Sequence, residues 1–200
     1  MKRSYSTGIN LLVFGLLVTF FLSRTTKLQP PNNYSDLMEY LPVITSNIFA
    51  DILIIFITFS GLIFTSNPLV HWYKKYRLAA TIADTVIGIL YILLARYLVH
   101  VYNIKTDLFT FTVFAVLVQM IMDLLFFLFF TSVPRGANDM LDLFKDYAKD
   151  VGFNGVLGDS ILIVVGVLLS AFLKSQTLDF NIGALLTSIY LMPYFIYMRD

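Results

Sequence analysis

Four aspartates, Asp51, Asp84, Asp123 and Asp159, each lie inside a long apolar run. A carboxylate at such a position costs about 2.5–3.5 kcal/mol to insert into a bilayer, so four that faced lipid as charges would rival the net stability of a domain. Arg96 is the one base inside these runs. Four acids with one base are reconciled only by protonation, hydrogen bonding, contact with water or a bound cation. The same groups could then relay protons, hold a cation or, as a pair sharing one proton, activate water. Asp84 and Asp159 also sit near the starts of their runs, where Asp is a favoured helix cap. Asp123 is the hardest to explain that way, because its run continues to Thr131. Cys is absent, and His71 and His100 flank opposite ends of one run, so neither a metal-ligand set nor a cofactor motif is present.

The elements that must position these acids are membrane helices. The 200 residues are 58% hydrophobic and only 14% charged, with mean hydropathy +0.78, well outside the soluble range. Six apolar runs are predicted as helices, at 9–23, 43–65, 78–101, 108–131, 156–173 and 182–198. The expected fold is all-α: a single polytopic transmembrane bundle of about six helices with a short surface helix. The first run is short, and no small-x-small cleavage site follows it, so it reads as a retained anchor. A net charge of +1 gives nucleic-acid binding no electrostatic basis.

Nine basic residues fall in one set of flanks (Lys2, Arg3, Lys74, Lys75, Arg77, Arg135, Lys145, Lys149 and Arg199) and four in the other (Arg24, Lys27, Lys105 and Lys174). That bias predicts both termini on the cytoplasmic side. The predicted depths bring Asp84, Asp123 and Asp159 together below the midplane and leave Asp51 nearer the middle. Arg96 lies close enough to the far end of its helix to snorkel. Residues 138–151 put Met140, Leu141, Phe144, Tyr147, Ala148 and Val151 on one helical face and charges on the other, which predicts an amphipathic surface helix ended by Gly152. Besides lipid, the expected partners are a second copy or other membrane or capsid proteins, meeting the chain through this helix. Gly88, Gly158, Gly166 and Ser170 are predicted close-packing positions. Residues 83–98 align with 158–173 as a faint internal repeat, Asp84-Thr85 matching Asp159-Ser160. The stretches upstream are out of register, because Asp51 precedes Pro68 by 17 residues and Asp123 precedes Pro134 by 11.

The run from Val133 to Ser160, with Gln119 and Asp123 before it and LMPYFIY near the end, resembles multi-pass membrane proteins of large double-stranded DNA viruses of algae and protists. The resemblance covers roughly the last four helices. It implies a virion inner membrane or an infected cell's membranes as the location, and no mechanism. Three functions follow from the residues: an organising protein of such a membrane, a small proton- or cation-coupled transporter or channel, and an intramembrane aspartyl-type enzyme. The third departs from the pattern of those enzymes, since Gly155-Val-Leu-Gly158-Asp159 stands where Gly-x-Gly-Asp is expected.

Overall fold

In lipid, a long apolar run satisfies its backbone donors and acceptors only as a helix, and every long run here adopts one. The computed structural model describes residues 2–61 and 67–198. Among them the elements are α1 (Lys2–Thr25), a single 3-10 turn (Leu37–Glu39), α2 (Tyr40–Ser60), α3 (Asn67–Tyr76), α4 (Leu78–Val101), α5 (Leu108–Ser132), α6 (Asp139–Val151), α7 (Phe153–Lys174) and α8 (Leu178–Ile196). Five helical stretches are long and apolar enough to cross a membrane: Thr7–Thr25, Leu37–Ser60, Leu78–Val101, Leu108–Ser132 and Phe153–Lys174. The chain is an all-α, multi-pass membrane protein.

The first run is therefore longer than 9–23, because the helix continues through Arg24 and Thr25. The predicted run 182–198 is not among the five, since the helix that carries it, Leu178–Ile196, also contains Asp179, Asn181, Thr187 and Ser188, which dilute its apolar character. Its helix, α8, still runs the length of the bundle. It starts where Asn181 Nδ2 donates to Leu173 O at 2.9 Å, and ends where Ile196 O accepts from Arg77 Nη1 at 3.1 Å. The predicted run 43–65 ends early at Gly61, whose φ of 64° suits only glycine without strain. Residues 62–66 lie outside those described.

α2 is the central helix, packed between α7, α8 and α4. Asn47, fully buried on it, marks the tightest crossing. A Cβ added at Gly88 would stand 2.8 Å from Asn47 Oδ1, and one added at Gly166 would stand 3.3 Å from it. At Gly88 only hydrogen fits beside the Asn47 side chain and at Gly166 a methyl would press on it, so α4 and α7 close on α2 here.

The aromatic and basic segment 71–77 belongs mostly to the helix α3. α3 turns into α4 through Arg77 (φ 48°) alone, and α6 turns into α7 through Gly152 (φ 57°) alone. The order long helix, short surface helix, corner, long helix thus occurs twice, as α2–α3–α4 and as α5–α6–α7. Asp51 stands nine residues before Ser60, the end of α2, and Asp123 nine before Ser132, the end of α5. Asp84 stands six residues after Leu78, the start of α4, and Asp159 six after Phe153, the start of α7. Measured from the helix ends, the two halves are in register; the proline count misled because α2 stops at Gly61, well before Pro68.

Candidate functional site

Because equal steps from equal helix ends reach equal depth, the aspartates arrive as two pairs, Asp51 with Asp123 and Asp84 with Asp159, about one helical turn apart. They lie about 9–14 Å from the α3/α6 end at 1.5 Å per residue. There they wall a single cavity of about 390 Å³, between α2, α4, α5 and α7 with α3 and α6 across its end. Asp51, expected nearer the middle, belongs to this cluster. Neither Asp84 nor Asp159 is a helix cap: the cap positions are Arg77 and Gly152, and neither makes a side-chain cap bond.

Each acid is held differently. Asp51 is fully buried; its Oδ2 accepts from Thr85 Oγ1 at 3.0 Å, while its Oδ1 has no hydrogen-bond partner. Asp84 accepts from the indole N–H of Trp72 at 3.0 Å, and the Tyr73 hydroxyl stands beside both Asp84 and Asp51. Asp123 accepts from the Tyr91 hydroxyl at 2.7 Å and from Gln119 Nε2. Gln119 is fixed in turn by Ser160 Oγ, which donates to its Oε1 at 2.7 Å. The Asp159 carboxyl stands beside that of Asp123, and two carboxyls so placed can share a proton. Asp159 is ringed by protein yet keeps an exposed surface, because that surface faces the cavity.

The hydroxyl that follows each Asp of the faint repeat thus has a counterpart role. Thr85 reaches from α4 to Asp51 on α2, and Ser160 reaches from α7 to Gln119 on α5.

The surface helices bring aromatic donors to the cavity. Burial, and then the neighbouring Asp84 and Asp51, hold the Tyr73 hydroxyl well above its ordinary range. Burial, and then Asp159, raise that of Tyr147. Both phenols therefore stay protonated at any physiological pH and can only donate to carboxylates. The apolar face of α6 is half-buried against the rest of the chain. Phe144 packs at 4.8 Å from Trp72, 5.4 Å from Phe126 and 6.1 Å from Phe130 between ring centroids, and Tyr147 lies 3.0 Å from where a Gly155 Cβ would be. Asn138 caps this helix through Met140 N and Leu141 N.

Arg96 is not part of the cavity. It lies at the opposite end, wholly buried rather than snorkelling, with Nη2 3.4 Å from Glu39 Oε2 and donating to Asn33 O at 2.6 Å. Lys174 Nζ stands 2.5 Å from Glu39 Oε1 and donates to Pro30 O at 3.0 Å. The Tyr40 ring lies 4.5 Å from the guanidinium carbon of Arg96. Sequence reasoning missed Glu39 because it precedes the apolar run by only a few residues. Its signal was a short list: Asp36 and Glu39 are the acids between Arg24 and the apolar run from Val43.

Of the small residues, Gly88 and Gly166 meet Asn47. Ser170 is fully buried, and Gly158 does not pack at all: nothing lies within 4 Å of a Cβ built there, because it borders the cavity. Among the described residues no group of three acidic, His or Cys side chains is placed to hold a metal ion. Compared with known proteins, the chain matches no family model, no curated protein and no solved structure.

Proposed function

We propose that this multi-pass protein carries protons or small cations across its membrane through the four-aspartate cavity. One observation carries the reading: a single cavity is walled by Asp51, Asp84, Asp123 and Asp159 and, among the described residues, by no Lys, Arg or His. A low-dielectric space with several carboxylates and no base takes up positive charge, as protons or as a cation. The nine-to-four bias of basic residues supports a cytoplasmic position for the α3/α6 end. The Glu39–Arg96–Lys174 network ties α4 and α7 to the start of α2 at the other end, which suits a carrier that opens to one side at a time. An organising role in a viral membrane, another function the residues allow, would need no such cavity.

The test is flux in reconstituted liposomes, with an internal pH dye and imposed Na⁺, K⁺ and pH gradients. Wild type should dissipate at least one gradient, and Asp159→Asn and Asp123→Asn should each slow it tenfold or more. Equal rates in wild type and both variants, or no flux above empty liposomes, would overturn the proposal.

One contact favours a second reading. Asp123 and Asp159 meet across α5 and α7, and two carboxyls sharing a proton can activate water for hydrolysis. Cleavage of a membrane-embedded peptide, lost in Asp159→Asn without any ion flux in wild type, would put this reading first.

A further inference from the structure

Size and wall chemistry narrow what enters the cavity. Resting on the cation reading above, we propose that its ligand is an organic ammonium ion carrying an apolar body, and not a bare metal ion. A volume of about 390 Å³ lies within the range of small-molecule sites, about 300–1,000 Å³, and is far too large to coordinate one stripped ion. The acids come from four different helices around the wall, and no three of the described acidic, His or Cys residues converge as metal ligands.

Between the carboxylates the wall is aromatic: Trp72, Tyr73, Phe126, Phe130, Phe144 and Tyr147. Ring faces attract cations most when both are desolvated, and they receive alkyl and aryl groups equally well. Carboxylates set among rings are therefore complementary to a charge that is bulky and weakly hydrated. Asp51 supplies an independent sign of an unmet ligand. It is fully buried on the cavity wall, and its Oδ1 has no hydrogen-bond partner.

The protein contains its own reporter, because Trp72 is its single tryptophan and lines the cavity. The experiment is a fluorescence titration of the full chain in nanodiscs at constant ionic strength. The two probes are benzyltrimethylammonium and neopentylbenzene, its neutral isostere, with titration calorimetry as a second readout. The expected result is saturable change with the ammonium ion and none with the isostere. Binding should weaken at least tenfold in Asp159→Asn, which leaves the Trp72 hydrogen bond to Asp84 in place, and severalfold in Phe144→Leu. The isostere comparison is made on wild type, so a variant that fails to fold does not blunt the test. Equal binding of the two probes, or no binding of either, would overturn the ligand class.

Liposome flux separates this inference from the reading beneath it. Wild type that moves protons or Na⁺ but ignores the ammonium ion overturns the ligand class alone. Selective ammonium binding without any flux upholds the ligand class and overturns transport.

Discussion

At the end of the bundle away from α3 and α6, Glu39 is 2% exposed and Arg96 is wholly buried, and each meets an opposite charge. At the α3/α6 end four carboxylates share one cavity, and the described residues around it offer them only neutral donors. Both arrangements bring acids into the helix bundle, and they differ in what happens when one group is removed. In the compensated network, deletion orphans a buried partner. In the cavity, deletion removes charge that no base was balancing. The first is built to hold the helix ends and the 26–39 loop together. The second keeps its acids available to something that arrives from outside.

The largest expected effect tests this contrast directly. Glu39→Ala leaves Arg96 buried without its anion, a change that costs about 3–5 kcal/mol in comparable buried pairs. Asp84→Asn keeps an acceptor for Trp72 and lowers the cavity's negative charge, so its effect should stay within about 1 kcal/mol of either sign. Thermal unfolding in nanodiscs compares the two, and equal losses would mean that the acids at both ends serve only to hold the fold. A helix-capping role for Asp84 is already excluded by its position six residues inside α4.

The next effect sharpens the same contrast through glycines. Gly88→Ala would push a methyl to 2.8 Å from Asn47 Oδ1 and 3.1 Å from Leu162. Asn47 cannot yield, because it is fully buried and donates to Val43 O at 2.8 Å, so an overpacking cost of about 1–3 kcal/mol is expected. Gly166→Leu should be worse still, and Val165→Leu mild. Gly158→Ala meets nothing within 4 Å and should hold or raise stability, by up to about 1 kcal/mol of helix propensity, while narrowing the cavity. Parallel melting and flux or binding assays separate the two glycines: Gly88→Ala should lose stability first, and Gly158→Ala should lose function with the fold intact.

Much of this was legible in the residue types. Apolar runs fix the membrane helices, because no other structure satisfies their backbone in lipid. The expense of each buried Asp singled out the four that line the cavity. What was not legible depended on where helices end. Asp51 read as mid-membrane because the run from Val43 looked unbroken to Thr65, whereas the helix stops at Gly61 and brings Asp51 level with Asp123. Arg96 read as a partner for the aspartates or a snorkelling cation, because nothing local reveals that the 26–39 loop folds back to deliver Glu39. The apolar face of 138–151 read as a docking surface, since periodicity shows that a face must meet something and cannot say what; α3, α5 and α7 pack against this helix and leave its apolar side chains half-buried.

The smallest expected effect concerns an acid that is neither buried nor left unbalanced, and so stands outside both ends of the comparison. Asp142, in the first turn of α6, accepts from Gly136 N at 2.6 Å and from Lys145 Nζ at 2.9 Å, and Lys145 also donates to Val133 O at 2.7 Å. The Gly136 amide, and then Lys145, hold its carboxyl below the usual aspartate range. A carboxyl whose value is depressed on folding contributes stability above its unfolded value, about 3.9, and loses it as pH falls through the lower folded value. The α5–α6 turn should therefore be held from neutral pH down to about pH 4 and loosen only below that. Amide exchange at Gly136, followed from pH 6 to pH 3 and corrected for intrinsic rates, should show protection falling at the acid end in wild type. Asp142→Asn should show weaker protection with no acid step, while its melting temperature barely moves. Protection at Gly136 that is the same in both proteins across the range would show that the turn is held by the Asn138 cap alone, and that the charge of Asp142 contributes nothing to seating α6 over the cavity.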